Sequence, residues 1–220
     1  MVAQPGLASF AGDSSGSHPV EESMCSLARL FWVTGTWHHE CMGEAMEGQR
    51  QPPQVLVLMG VSGVGKTTIG QILSRRLGWD FEEGDSLHPE ANVEKMHAGH
   101  PLTDEDRWPW LEKVADWIDG WLKQGKNGVI TCSALKRSYR NILNRRGSGV
   151  MFVHLTGDYA TIASRLRNRR SHFMPPSLLS SQFETLEEPQ EAEEPVLTVD
   201  VNASPNEIAD HIIRALDLGR

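Results

Sequence analysis

The feature that most constrains this chain is a glycine-rich stretch directly after a buried strand. Residues 55–59 read VLVLM, an unbroken apolar run typical of a parallel strand covered on both faces. Residues 60–67 follow at once as GVSGVGKT, a full match to the pattern G-x-x-x-x-G-K-[ST]. A ligand-free turn before a helix is the alternative interpretation. The strand before the match and the helix-like IGQILSRRL after it favour a phosphate-binding loop.

The residue types in this stretch suit the binding of a nucleoside triphosphate. Gly60, Gly63 and Gly65 let the backbone curl so that successive N–H groups face phosphate oxygens, and the following helix adds its positive N-terminal end. We expect Lys66 to reach the β- and γ-phosphates and the Thr67 hydroxyl to ligate Mg²⁺. The predicted nucleotide-binding residues of the loop are Gly60, Ser62, Gly63, Val64, Gly65, Lys66, Thr67 and Thr68.

Composition and charge limit the other functions open to the chain. Its 220 residues allow one sizeable α/β domain and an additional segment. The formal net charge of -8 argues against a long nucleic-acid interface, which requires a basic surface. No apolar run approaches the ~18 residues of a membrane span, and Cys25, Cys41 and Cys132 are too far apart for a disulfide framework. We therefore predict a cytoplasmic protein that binds neither nucleic acid nor membrane.

Residues 1–53 differ in character from the rest of the chain. They begin Ser- and Gly-rich and later bring His38, His39 and Cys41 together without a helical or strand period. These three side chains would need a second ligand pair to form a metal site, and none stands at a usable spacing. We predict a poorly ordered N-terminal extension at residues 1–53, or sequence upstream of the true start, followed by a P-loop domain at residues 54–220.

From Val55 onward, predicted strands and helices alternate. This alternation indicates an α/β fold of the P-loop NTPase class, a parallel sheet flanked by helices on both faces. The predicted strands are residues 55–59, 79–81, 129–132, 150–155 and 196–201. The predicted helices are residues 68–77, 88–96, 108–122, 135–145, 160–169, 177–186 and 205–216.

Residues that follow the strands are candidates for an acceptor site, because ligands of such sheets bind beyond the carboxyl ends of the strands. Asp85 and His88 follow the second strand, Lys136 and Arg140 follow the third, and Arg107 lies between. The set combines a carboxylate for Mg²⁺ and a hydroxyl nucleophile with cations for an anionic acceptor. From sequence alone, Asp85 could instead cap a helix, His88 could be a packed structural residue, and the cations could be surface charges.

Several motifs, taken in order, resemble those of the small P-loop gluconate kinases. They are GVSGVGKTT, EEGDSLHPEANVEKM, PLTDEDRWPWL, CSALKRSYR, HFMPP and QFETLEEP. The resemblance spans Val55 to about Leu216, and the CSALK and QFETLE segments are far more specific than the phosphate loop. It implies a nucleoside-kinase-like fold with a mobile lid and transfer of the ATP γ-phosphate to the 6-hydroxyl of D-gluconate. It also implies ATP and Mg²⁺ as cofactors and a homodimer.

The resemblance also implies roles for single residues. The catalytic residues would be Lys66, Asp85 and Arg165, with Asp85 as general base and, together with Thr67, as metal ligand. Gluconate would contact Asp85, His88, Arg107, Lys136, Arg140 and His172. Arg165 and Arg169, at i and i+4 on one helix face, would reach the triphosphate when a lid at about residues 165–186 closes. The alternative for these arginines is an exposed basic helix end, and Gln182, Glu184 and Glu187 are interpreted as lid-base or structural residues.

Two positions depart from the pattern of the family. Glu83 stands where the family often has Asp two residues before Asp85, so its charge is kept but moved by about a methylene. The strand at 129–132 ends without the Asp that many P-loop enzymes use for Mg²⁺. Two competing hypotheses are a small P-loop kinase for shikimate or a nucleoside monophosphate, and a nucleotide-binding regulatory module without transfer activity.

Overall fold

A parallel sheet forms the centre of the molecule in the computed structural model, which describes residues 54–168 and 179–219. The strands in these ranges are β1 (Val55–Met59), β2 (Asp80–Glu83), β3 (Gly128–Thr131), β4 (Val150–Thr156) and β5 (Val196–Asp200). Their spatial order is β2-β3-β1-β4-β5, and every adjacent pair is parallel. The central position of β1 places the loop that follows it between the ends of β3 and β4.

Helices cover both faces of this sheet. They are α1 (Lys66–Leu77), α2 (Glu90–His97), α3 (Asp104–Lys123), α4 (Arg137–Leu143), α5 (Tyr159–Asn168), α6 (Leu179–Thr185) and α7 (Pro205–Ala215). A 3₁₀ turn at Gly84–Leu87 directly follows β2. Apolar side chains of α1, α5, α6 and α7 pack on one face, and those of α3 and α4 pack on the other. The predicted α/β fold of the P-loop type is confirmed.

The residues of β1 show why this strand must be apolar throughout. Leu56 and Leu58 belong to the core beneath α1 and α7, whereas Val55, Val57 and Met59 belong to the core beneath α3. All of them are fully buried. Because side chains alternate between the two faces of a strand, a strand with a core on each side has no position for a polar residue.

Two boundaries near the cleft differ from prediction. Helix α3 begins at Asp104 rather than Trp108, because Thr103 caps it. Thr103 Oγ1 accepts from the Asp106 N–H at 3.3 Å, and the Asp106 carboxylate accepts from the Thr103 N–H at 2.7 Å. Such a cap stabilises a helix by about 1 kcal/mol, and its T-x-x-D sequence was a readable signal. Strand β2 begins one residue later than predicted and continues to Glu83, so it leads straight into a 3₁₀ turn that periodicity did not predict.

Candidate active site

The phosphate loop connects β1 to α1 at the carboxyl edge of the sheet. Gly60, Gly63 and Gly65 adopt positive φ angles of 127°, 84° and 114°, a region that favours glycine. Gly65 is also the N-cap residue of α1, so the helix begins inside the loop. Lys66 Nζ donates to the carbonyl oxygens of Gly60 at 2.9 Å and Val61 at 3.1 Å. The loop is therefore curled around its own lysine, as a phosphate-binding loop requires.

Asp85 is positioned by the 3₁₀ turn after β2. The Gly84 N–H donates to Thr131 Oγ1 at 3.1 Å, and the Gly84 carbonyl accepts from Trp110 Nε1 at 2.7 Å. A Cβ atom on Gly84 would lie 1.9 Å from the Thr131 carbonyl oxygen, so only glycine lets the turn pack against β3. These contacts place Asp85 in the wall of a cleft that Lys66 also lines.

This cleft brings several predicted site residues together. Ser62 and Lys66 of the phosphate loop line it, and so do Asp85, His88 and Arg107. The nucleotide-binding loop and the acceptor residues predicted after β2 therefore face one space.

His88 is packed against the wall of the cleft. Its ring stacks on that of Trp110, with ring centroids 4.0 Å apart and an interplanar angle of 17°. Asn92 Nδ2 lies 3.5 Å from His88 Nδ1 and donates to the Asp106 carbonyl oxygen at 2.7 Å. Burial, and secondarily the positive charge of Arg107, lowers the pKa of His88 to about 4. His88 is therefore neutral at pH 7 and can both donate and accept a hydrogen bond.

Asp104 connects Arg107, which lines the cleft, to Lys136 and Tyr139, which are not among the lining residues. Lys136 Nζ donates to its two carboxylate oxygens at 2.9 and 2.8 Å, and the Tyr139 hydroxyl donates at 2.5 Å. The Arg107 guanidinium lies 3.8 Å from the same carboxylate. The hydrogen bond from Lys136, followed by that from Tyr139, lowers the pKa of Asp104, so this group is ionised at pH 7. An acceptor carboxylate would thus share Lys136 and Arg107 with Asp104 or displace it.

The structure does not bring Arg140 into the cleft. Its side chain is 2% exposed, and its Nε and Nη2 each donate to the Glu194 carboxylate at 3.0 Å. Its Nη1 donates to the carbonyl oxygens of Ala134, Leu135 and Glu187. The prediction that Arg140 contacts the substrate directly is therefore wrong. The guanidinium instead holds the loop after β3, because a buried charge must keep its partners.

Arg165 lies beside the phosphate loop in a second pocket, which Gly63, Val64, Gly65 and Thr68 also line. Its Nη1 donates to the Val64 carbonyl oxygen at 3.3 Å and its Nη2 to the Val201 carbonyl oxygen at 2.7 Å. The predicted site residues Arg169 and His172 lie outside the described residues.

Comparisons with known proteins give the family of the chain. A family model described as an AAA domain matches residues 56–176. A gluconokinase from Gluconobacter oxydans is 51% identical over 162 residues, which are 74% of this chain and 90% of that protein. A crystal structure of a gluconokinase from Sinorhizobium meliloti has a TM-score of 0.68 and 43% identity, and the match covers 76% of this chain and 94% of that one. This chain belongs to the gluconokinase family.

A further relative extends the comparison. The thermosensitive gluconokinase of Escherichia coli is 49% identical over 146 residues, which are 66% of this chain and 78% of that protein. These similarities confirm the family that the order of motifs predicted. They also confirm the prediction that the chain is a P-loop kinase, and they disfavour the hypothesis of a regulatory module without transfer activity. The family uses ATP.

Sequence reasoning missed part of the site of this gluconokinase-family chain. Gln182, interpreted from the sequence as a lid-base or structural residue, also lines the cleft, and the Ser62 N–H donates to its Oε1 at 2.6 Å. Ser133 and Leu135 from the loop after β3, and Ser181 from α6, also line the cleft. The only sequence signal for Ser133, Leu135 and Gln182 was their presence in the CSALK and QFETLEEP segments. Ser181 precedes the second segment and had no signal, because no periodicity or charge pattern distinguishes it.

Replacing His88 with Gln in this gluconokinase-family chain should reduce the acid sensitivity of folding. Because the pKa of His88 is lowered on folding, its contribution to stability is present above the unfolded pKa of about 6.5 and is lost as pH falls toward 4. The free energy of unfolding of the parent should decrease when the pH is lowered from 7 to 4.5. In the variant this decrease should be smaller by on the order of 2 kcal/mol. Urea denaturation at both pH values measures this difference. His211→Gln, at an exposed position of α7, is the control, and equal pH dependence in both variants would contradict the expectation.

Proposed function

We propose that this chain transfers the γ-phosphate of ATP to the 6-hydroxyl of D-gluconate and forms 6-phospho-D-gluconate. The main support is a cleft that Lys66 of the phosphate loop lines together with Asp85, His88 and Arg107. The chain also belongs to the gluconokinase family. A carboxylate, a neutral imidazole and a guanidinium suit an acceptor that has hydroxyls and one carboxylate. The names of the matching relatives favour gluconate over shikimate or a nucleoside monophosphate.

On the nucleotide side, the loop amides and Lys66 would hold the phosphates of ATP. Lys66 would leave the carbonyl oxygens of Gly60 and Val61, to which it now donates, and turn to the β- and γ-phosphates. The guanidinium of Arg165, beside Val64, is available from the second pocket to stabilise charge on the triphosphate.

On the acceptor side, Asp85 would accept the proton of the gluconate 6-hydroxyl. The bond from that oxygen to the γ-phosphorus forms while the bond from the γ-phosphorus to the β–γ bridging oxygen breaks, and ADP leaves. His88, Arg107 and Lys136 would orient the sugar acid, the cations through its carboxylate. Such positioning supplies much of the rate enhancement in phosphoryl transfer.

The oxygen donors of the site fit Mg²⁺. Thr67 is the second residue of α1, next to the loop, and Asp85 lines the cleft. A hydroxyl and a carboxylate are oxygen ligands of the type that Mg²⁺ prefers. In residues 54–168 and 179–219, no group of three or more His, Cys, Asp or Glu side chains could hold a metal on its own. We therefore propose Thr67 and Asp85, together with nucleotide phosphates and water, as the ligands of Mg²⁺. The metal ion would neutralise part of the phosphate charge. Glu83 Oε1 accepts from the Thr131 hydroxyl, whereas its buried Oε2 has no hydrogen-bond partner in the described structure.

An acceptor panel tests the proposed function. Purified protein is given ATP and Mg²⁺ with gluconate, other sugar acids, shikimate or AMP, and ADP release is followed by a coupled assay. We expect kcat/KM for gluconate to exceed that for shikimate and AMP by at least about a hundredfold, because the site pairs specific polar groups with the acceptor. Preference for another acceptor would overturn the substrate, and nucleotide binding without any turnover would favour a regulatory module.

The homodimer and the cytoplasmic location stay predictions, and so does the absence of nucleic-acid binding. No helix within the described ranges combines the length and apolar character that crossing a bilayer requires. Light scattering coupled to size exclusion would give the mass in solution and test the dimer directly.

A further inference from the structure

Gln182 makes a buried contact with the phosphate loop from a distant part of the chain. It lies on α6, is 8% exposed, and its Oε1 accepts from the Ser62 N–H at 2.6 Å. Ser62 is itself buried. A side-chain amide offers the oxygen that a peptide N–H needs without bringing a formal charge. The Ser62 peptide is thus held from outside the loop, by a neutral group.

The held peptide lies at the end of the loop where the lysine ammonium sits. Lys66 Nζ donates to the carbonyl oxygens of Gly60 and Val61, the two residues that precede Ser62. The lysine of a phosphate loop serves the β- and γ-phosphates, so this end of the loop is the one nearest the transferred group. Gln182 also lines the cleft into which Asp85 faces. It therefore stands between the nucleotide and acceptor sides.

The residues after Gln182 bind the loop that follows β3. The Glu187 N–H donates to the Leu135 carbonyl oxygen at 2.9 Å, and the Glu187 carboxylate accepts from the Arg137 N–H at 2.7 Å. Leu135 lines the cleft. One short segment, Gln182–Glu187, is thus hydrogen-bonded to the phosphate loop at one end and to an acceptor-side loop at the other.

We propose that Gln182 is a positioning residue for phosphoryl transfer. Its amide oxygen fixes the Ser62 peptide, and its neutrality keeps negative charge away from the end of the loop that receives the γ-phosphate. A glutamate there could still accept from the Ser62 N–H, but a negative charge at this buried position would repel the γ-phosphate. The inference rests on the proposed function for the identity of the transferred group.

Two substitutions separate the hydrogen bond from the charge. Gln182→Glu keeps the acceptor and adds a charge, and Gln182→Met keeps neutrality and removes the acceptor. We expect Gln182→Glu to weaken binding of a non-hydrolysable ATP analogue at least about tenfold and binding of ADP less than about threefold, because only the analogue carries a γ-phosphate. We expect Gln182→Met to lower kcat about tenfold with ADP affinity unchanged, since the loop peptide is no longer fixed. Titration calorimetry with Mg²⁺ and steady-state assays with gluconate provide the readouts.

Gln71→Glu, at an exposed position of α1, is the matched control and should change none of these values. Gln182→Met leaves the buried Ser62 N–H without its acceptor and should lower the melting temperature by roughly 3–10 °C, so all assays are run well below the melting transition of each variant. Equal weakening of ADP and the ATP analogue in Gln182→Glu, or no change in either, would overturn the proposal. Because nucleotide titration needs no acceptor, it tests the role of Gln182 even if gluconate proves not to be the substrate.

Discussion

Replacing Asp85 with Ala should lower kcat for gluconate by at least about a thousandfold, because a positioned base and a metal-linked charge are lost together. Asp85 follows Gly84 in a turn fixed by hydrogen bonds to Thr131 and Trp110, so its carboxylate is held in the cleft. Steady-state kinetics with saturating ATP, Mg²⁺ and gluconate measure the effect. ADP binding, measured by calorimetry, should remain within about threefold, since the loop amides and Lys66 are retained.

A second substitution at the same position isolates the charge. Asp85→Asn keeps the size of the side chain and removes its basicity, so it should lose nearly as much kcat as Asp85→Ala. Asp116→Asn, on α3 in an exposed ion pair with Arg145, applies the same chemical change outside the cleft and should leave kcat unchanged. Near-normal turnover by Asp85→Ala would remove Asp85 from the mechanism.

Replacing Gly84 with Ala should destabilise the protein by about 3 kcal/mol and lower kcat as well. The added Cβ would lie 1.9 Å from the Thr131 carbonyl oxygen, and backbone cannot yield as a flexible side chain can. The turn would have to move away from β3 and carry Asp85 with it, and a displacement of about 1 Å can reduce catalysis about a hundredfold. Urea denaturation and kcat measured below the melting transition give the two effects separately.

Gly120 provides the matched glycine for this experiment. It lies inside α3, and a Cβ there would meet nothing within 4 Å. Gly120→Ala should therefore leave kcat unchanged and stabilise the helix by roughly 0.5–1 kcal/mol, because alanine loses less backbone freedom on folding. If Gly84→Ala were as stable and as active as Gly120→Ala, the close packing of the turn on β3 would not govern the site.

The sequence by itself determined the phosphate loop and the framework around it. Strand β1, the loop and α1 are contiguous, and the apolar run, the positive-φ glycines and the helical spacing are local properties of neighbouring residues. The alternation of strands and helices then fixed the fold class, because parallel strands need crossover connections. The order of motifs identified the family, since sequence similarity does not require knowledge of contacts.

Only the tertiary structure decided which polar side chains meet. Gln182 and Ser62 are 120 positions apart, and Arg140 and Glu194 are 54 apart, yet each pair is buried and hydrogen-bonded. Arg140 has a charge that suits an anionic substrate and a sequence position after a strand, as expected of a substrate ligand. The buried ion pair with Glu194 makes it a structural residue instead. Whether a charged residue faces ligand, solvent or a partner depends on what packs against it. These neighbours come from distant parts of the chain that meet only in the folded structure, so no local sequence pattern predicts them.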